Sequence, residues 1–430
     1  MTGQGTRVGL LHFTCPPVIG GVESLIRTHA RLAVEHGYTV RVLAGRGRQF
    51  DRRIPVQLFA PLDSKYPELI QLDGELRQGI VSAHFTALRD RLIAWWREQV
   101  APDFDTVVIH NAFTLHFNLP LTAALHAVAD AGRPQLVAWC HDLSWANPLY
   151  RPLMREAYPW QLLKRCHPRV RYVVVSRDRQ RDLAALTGTD PVAIAVIPAG
   201  VDLAHWARFG QATRRLLAAL RLEPEELVLL LPARITRRKN IELAIRIVAA
   251  LRDRGARPRL LVTGPPGPHD VRSGTYLDEL LRLRTQLGVE REVALLYPYR
   301  LRDATVADLY QVADALLFPS SQEGFGIPVL EAGLSRLPVF CADLPPLREI
   351  AGPHAHYFSP DVAPAAVAER LLQFFAGDHT ARLRRRVLRD YAWSSIFSRQ
   401  IAPLLGGTAA PDHSCAPAAD FARTEQSASL

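Results

Sequence analysis

Hydrophobic positions in the first half of the chain come as short bursts separated by stretches with helical spacing. Arg7 to Phe13 is a compact apolar run followed by a loop ending in Gly20-Gly21, after which Val22, Leu25, Ile26, His29 and Ala33 recur at helical intervals until Gly37. Thr39 to Ala44 reads as the next strand. Strand, loop, helix, strand in that order predicts the opening of a parallel α/β sheet, whose ligands sit at the carboxyl ends of the strands. Further strands are predicted at Thr106 to His110, Gln135 to Cys140, Arg171 to Val175 and Ala193 to Ile197. The first half is thus expected to be doubly wound.

The same grammar starts again at Leu227 to Leu231. A basic loop follows, then a helix from about Asn240 to Arg254 closed by Gly255, and a strand at Arg259 to Thr263. Val293 to Leu296, Ala315 to Phe318 and Pro338 to Cys341 are later strands, with helices at about Leu277 to Leu287 and Thr305 to Ala313. The pattern predicts a second Rossmann-like domain, with the join between Val201 and Arg221. The expected domains are residues 1–202, 203–390 and a closing helix at 391–405. After that the chain is rich in Gly, Ala, Ser, Thr and Pro, and 406–430 is expected to be a disordered tail.

The chain has 430 residues, 48% hydrophobic and 22% charged. That balance fits a soluble globular protein with room for two cores and a cleft between them. No apolar run approaches the roughly 18 to 20 residues that cross a bilayer, and Met1 to Phe13 lacks the pattern of a secretory signal. A cytoplasmic protein is expected. The five cysteines, Cys15, Cys140, Cys166, Cys341 and Cys415, are scattered and never form a C-x-x-C pair, which argues against a disulfide framework or a structural zinc site. The formal net charge is +10, carried almost wholly by arginine, with only Lys65, Lys164 and Lys239 as lysines. Such a field favours anionic partners. No nucleic-acid-binding signature accompanies it. The runs Lys164 to Arg171 and Arg382 to Arg389 read either as solvated faces or as patches for an anionic membrane surface.

The most informative stretch is Ser320-Ser321-Gln322-Glu323-Gly324-Phe325-Gly326-Ile327-Pro328-Val329-Leu330-Glu331. It follows a buried strand and leads into a helix whose first turn suits Pro328. Glycines at 324 and 326 let a ligand approach main-chain N–H groups at a helix N-terminus, where anions are favoured. Glu323 and Glu331 can accept hydrogen bonds from sugar hydroxyls. The string therefore predicts a site for a polyhydroxylated anion. Arg234-Ile235-Thr236-Arg237-Arg238-Lys239-Asn240 places cations at the carboxyl end of the second domain's first strand. A lysine there, in an arginine-rich chain, points to a compact ammonium. His141-Asp142 follows the strand Gln135 to Cys140, where the histidine can donate to a sugar hydroxyl or serve as a structural side chain. His110 and Asn111 are candidates for acceptor contacts beside plain packing roles. Asp103-Phe104-Asp105 matches D-x-D only superficially and reads as structural.

With these strings in hand, the chain resembles the retaining glycosyltransferases of family 4, which have the GT-B architecture of two facing Rossmann-like domains. The E-x7-E spacing of Glu323 and Glu331 is the most specific part of the likeness, which covers nearly the whole chain to about Leu405. The resemblance implies that Glu331 binds the nucleotide ribose and Glu323 lies beside the donor sugar. It implies further that Arg234 and Lys239 stabilise the diphosphate. Gly20 and Gly21 in Gly-Gly-Val-Glu line the cleft, His141 lies near the donor hexose, and Gly264 in Val-Thr-Gly-Pro-Pro forms a glycine turn. Tyr391 to Leu405 resembles the last helix, which crosses back onto the first domain. Ala199 and Ala233 depart from the family pattern, which has Asn and Gly there.

The implied reaction moves a hexosyl unit from UDP-hexose or GDP-mannose to a glycan, lipid-linked or small-molecule acceptor, with retention of configuration. No cofactor and no metal are expected, because cations and helix dipoles can stabilise the departing diphosphate. The amides near Gly324, Phe325 and Gly326 would help hold it. Two rivals remain at this point: a phosphorylase or nucleotide-sugar epimerase on the same architecture, and a non-catalytic sugar-nucleotide-binding protein.

Overall fold

The structure, a computed structural model, describes residues 5–266 and 273–406. The expected disordered tail lies outside the described residues, apart from Gly406. Two compact units are present, one formed by the chain up to Gly200 and again from Tyr391, the other by Val201–Asp390.

The first unit is built on seven parallel strands, β1 (Arg7–Thr14), β2 (Thr39–Arg46), β3 (Val56–Leu58), β4 (Thr106–His110), β5 (Gln135–Cys140), β6 (Val170–Val174) and β7 (Ile194–Val196). Their order across the sheet is β3-β2-β1-β4-β5-β6-β7. Parallel strands covered on both faces bury successive residues on alternate sides. Val8, Leu10, Val42, Val108 and Val137 meet the helix Gly21–Glu35 on one face. Leu11, Leu43, Ile109 and Ala138 face the helices Pro67–Arg77, Ala83–Gln99 and Leu119–Ala129 on the other.

The last described segment also belongs to this unit and buries Ile396, Phe397, Ile401, Leu404 and Leu405 against the first face. A single helix was expected there. It is present as one continuous helical run, with a π-helical stretch at Phe397–Ile401 between α-helical ends at Trp393–Ile396 and Ala402–Leu405. Pro403 explains the π-helical stretch, since it offers no N–H and its ring crowds the carbonyl four residues back.

The second unit carries six parallel strands, β8 (Leu227–Leu231), β9 (Pro258–Val262), β10 (Val293–Leu295), β11 (Ala315–Phe318), β12 (Val339–Ala342) and β13 (His356–Phe358), in the order β10-β9-β8-β11-β12-β13. Every residue of β8 is buried, as its unbroken apolar run requires. The helix Ile241–Arg252 is apolar on most of its surface because it is covered both by the sheet and by the helix Pro364–Gly377. Helix Gln211–Leu220 lies where the sequence placed the join, and it buries Thr213, Leu216 and Leu220 in this unit.

In both sheets the strand order reverses at one point. β1 pairs with β2 on one side and β4 on the other, and β8 pairs with β9 and β11. The loops leaving such a pair diverge to opposite faces and open a crevice at the strands' carboxyl ends. Gly20 and Gly21 follow β1, Asn111 follows β4, Arg234 and Lys239 follow β8 and Glu323 follows β11, while His141 and Gly264 follow the neighbouring strands β5 and β9.

Candidate functional site

In the second unit, the loop after β8 carries Arg234, Arg238 and Lys239, and the loop after β11 carries Glu323. The two loops are tied together by the Ser321 amide, which donates to the Arg238 carbonyl at 2.9 Å. Lys239 Nζ donates to Glu323 Oε1 at 2.5 Å, and Arg238 Nη1 lies 3.6 Å from Oε2 of the same carboxylate. Both partners of the Lys239–Glu323 pair are buried, with side chains 10% and 6% exposed. The ammonium also sits 4.8 Å from the centre of the Phe318 ring, a favourable place for a desolvated cation. Arg234 is exposed, and no carboxylate among the described residues pairs with it. Arg237 is directed elsewhere, to Glu279 at 2.7 Å. Three cations against one carboxylate leave this crevice with a net positive charge.

Gly264, after β9, lies against the same basic loop. Its amide donates to the Ala233 carbonyl at 3.0 Å, and a Cβ there would run into that carbonyl and into Arg234 Cα. Only glycine lets the two backbones approach so closely. The adjoining Ile235 amide donates to the Pro265 carbonyl at 3.0 Å, which fixes the path of the loop that presents Arg234.

After Glu323 the chain passes through Gly324 and the exposed Phe325 to Gly326, which precedes the helix Ile327–Leu334. Gly326 has φ +114°, and a Cβ on it would strike Leu347. Glu331 stands in the second turn of that helix. One of its carboxylate oxygens accepts from Tyr310 Oη at 2.5 Å, leaving the other for a ligand. Burial raises the Tyr310 phenol well above its ordinary value, and the neighbouring carboxylate adds to the effect, so it stays a proton donor. Sequence reading missed Tyr310 because it comes from a different helix, Asp303–Val312, with no local signal linking it to Glu331. Two further hydroxyls were missed: Thr236 Oγ1 and Ser320 Oγ are buried without a hydrogen-bond partner among the described residues, one in each of the two tied loops.

In the first unit, Gly20 and Gly21 lie where the loop after β1 enters the helix Gly21–Glu35. Thr14 Oγ1 donates to the buried Glu23 carboxylate and closes this loop. His141 and Asp142 follow β5. Asn111, held at φ +63°, accepts from the His141 amide at 2.8 Å and the Asp142 amide at 3.4 Å through Oδ1. His110 has no exposed surface and Asn111 is 5% exposed. The sequence left two roles open for them, acceptor contact and packing. The structure shows packing roles for both: His110 Nδ1 faces His141 Nε2 and Asn111 Oδ1 holds the loop that carries His141.

Two more histidines, His12 on β1 and His29 on the following helix, complete a buried cluster that sequence reading missed. His12 Nδ1 lies 3.0 Å from the His110 carbonyl, and His110 Nδ1 lies 3.0 Å from His141 Nε2. Burial lowers all four imidazoles, His29 to about 3 and His141 to about 4; neighbouring rings add to the effect at His29, His110 and His141, while at His12 the His110 carbonyl and Glu23 oppose it. The pairing of Leu11 with Ile109 puts His12 beside His110 one step on, a neighbourhood that no local sequence pattern shows.

Two doubly wound parallel units, each with its polar residues at the point where strand order reverses, define the GT-B class of α/β protein. The family model described as Glycosyl transferases group 1 matches residues 213–392, and that described as Glycosyltransferase Family 4 matches residues 19–205. The chain belongs to the family 4 glycosyltransferases of GT-B type. It is 36% identical over 175 residues to a D-inositol 3-phosphate glycosyltransferase of Actinosynnema mirum, covering 40% of each chain. It is 31% identical over 252 residues to one of Nocardia farcinica, covering 57% of this chain and 53% of the relative. A mannosylglucosylglycerate synthase of Petrotoga mobilis is 24% identical, with 58% and 62% covered. The chain thus spans about half the length of the curated relatives it matches. Among solved structures, the sucrose-phosphate synthase of Thermosynechococcus elongatus is 16% identical with a TM-score of 0.37, covering 93% of this chain and 98% of that one.

Proposed function

We propose that the protein is a retaining hexosyltransferase that takes its sugar from a nucleotide-diphospho-sugar, UDP-hexose or GDP-mannose. The observation that carries this reading is the Lys239–Glu323 pair, with Arg234 exposed on the same loop and unpaired with any acid among the described residues. A buried cation already balanced by a carboxylate, with a second cation exposed on the same loop, suits a ligand that brings both a diphosphate and hydroxyl groups. Arg234, Lys239 and the amides from Gly324 to Gly326 hold the leaving phosphates. Glu331 binds the ribose, and Glu323 and His141 orient the sugar. As the bond from the anomeric carbon to phosphate oxygen breaks, the acceptor oxygen bonds to that carbon on the same face and its proton passes to the departing phosphate. Fixed positive charge lowers this barrier by stabilising the leaving group.

The acceptor is a glycan, lipid-linked sugar or small metabolite. The relatives named for inositol 3-phosphate support an anionic one, as does the net charge of +10. The protein works in the cytoplasm, with peripheral contact to an anionic membrane as a secondary role. That contact gains little from the two basic runs, since Lys164 pairs with Glu156 and Arg384 is held by Asp314. No helix among the described residues is long and apolar enough to cross a membrane.

A thermal-shift panel of UDP-, GDP- and ADP-sugars tests the donor assignment. A ligand at 100 times its Kd stabilises the native state by about 2.7 kcal/mol, so the true donor raises Tm selectively. No shift with any activated sugar at millimolar concentration would overturn the reading.

A further inference from the structure

We propose that His110 is a positioning residue that fixes His141 in one neutral tautomer, with its proton on Nδ1, so that His141 meets the donor sugar as a hydrogen-bond donor and not as a base. This rests on the role given to His141 above. His110 lies opposite Trp139 in the β4–β5 register, so His141, two residues on, shares its side of the sheet. The two imidazole planes lie within 15° of each other, and His110 Nδ1 is 3.0 Å from His141 Nε2. One of these nitrogens carries the shared proton.

His110 settles which one. Its Nε2 is buried without a partner among the described residues. A proton there would be an orphaned N–H in the interior, the costlier way to leave a ring nitrogen unsatisfied. Placed on Nδ1, the same proton makes the bond to His141. His141 Nε2 is then an acceptor, and the proton of a neutral His141 must be on Nδ1. The rest of the cluster holds this arrangement. His12 Nδ1 can only donate to the His110 carbonyl, and Asn111 pins the His141 backbone. His29 and Trp139 pack their rings within 6.0 Å of the His110 ring. The facing titratable groups are His12 and His29, with Glu23 beyond His12. Burial keeps the imidazoles neutral near pH 7. The four histidines do not form a metal site: no group of three or more His, Cys, Asp or Glu among the described residues could hold a metal ion.

The test is long-range proton–nitrogen correlation NMR on the full chain labelled with 15N-histidine, which reads the protonated nitrogen of each ring. The expected result is His141 protonated on Nδ1 in the wild type. His110→Leu should shift His141 toward the Nε2–H form and lower kcat for nucleotide release from UDP-glucose or GDP-mannose by about tenfold, with KM changed far less. His110→Asn, whose amide nitrogen replaces Nδ1, should restore both the tautomer and most of the rate. Wild-type His141 protonated on Nε2 overturns the proposal even if no variant folds. So does a His110→Leu protein with unchanged tautomer and kcat, or equal losses in the Leu and Asn variants. Failure of the transferase reading is separate: the wild type would then release no nucleotide, while the tautomer readout would stand.

Discussion

Removing both partners of the Lys239–Glu323 pair should harm the second unit less than the two single losses added together. At 2.5 Å the gross attraction between unit charges is about 7 kcal/mol with an effective dielectric near 20. Desolvation of each ion, at several kcal/mol, cancels most of it, so the intact pair contributes little net stability. Lys239→Ala leaves a carboxylate only 6% exposed with Arg238 at 3.6 Å as its remaining cation. Loss of one partner of a buried pair typically costs about 3–5 kcal/mol, and the second cation reduces this to about 2–3. Glu323→Gln leaves an ammonium above Phe318 that can turn toward solvent, for about 1–2 kcal/mol. The double variant should cost at least about 1 kcal/mol less than the sum, a coupling well above the error of additivity. Since two units need not unfold together, the assay is hydrogen exchange resolved by peptide, followed in β8 and β11 across a urea series. Additivity within about 0.5 kcal/mol in those peptides would refute the argument.

Arg234→Ala should lower kcat by about 10²–10³-fold, the scale of removing one preorganised charge donor, yet leave Tm unchanged, because the side chain is exposed and unpaired among the described residues; steady-state kinetics beside a melting curve checks both. Gly264→Ala should cost about 1–3 kcal/mol and raise KM for the nucleotide-sugar, since its Cβ forces the β9 loop away from Ala233 and Arg234; a wild-type melt and KM would count against the close approach. Acid should destabilise the first unit early. His29, His126 and His141 are lowered to about 3, 4 and 4, so the unfolded chain binds protons below about pH 6.5 while the folded one does not. Stability should be greatest above pH 6.5 and fall from there toward pH 4; urea midpoints that are flat or rise over that interval would contradict the sign.

Much of the fold was legible because parallel strands buried on both faces are written as short apolar runs. β4, β5, β8 and β11 appear with their boundaries intact. β3 and β13 did not, being three-residue strands at sheet edges with mixed exposure and no alternation to detect. The π-helical stretch depends on Pro403 acting within a packed face, which a periodicity argument smooths over. In the site, Arg234, Lys239, Glu323 and Glu331 announce themselves by charge and spacing. Their partners do not. The Lys239–Glu323 bond joins residues 84 positions apart, and the Tyr310–Glu331 bond joins two helices whose packing is set by the whole core. His110 was visible as a residue at a strand end, but its direction depends on strand register, which no local pattern fixes.

The central claim is that this crevice of fixed charge drives departure of a nucleoside diphosphate from an activated sugar. The most direct measurement is acceptor-dependent release of UDP or GDP from UDP-hexose or GDP-mannose by the wild type and by Arg234→Ala and Lys239→Ala. Release should need an acceptor and fall about 10²-fold or more in both variants. Phosphate-dependent formation of a sugar phosphate, or wild-type turnover in either folded variant, would contradict it.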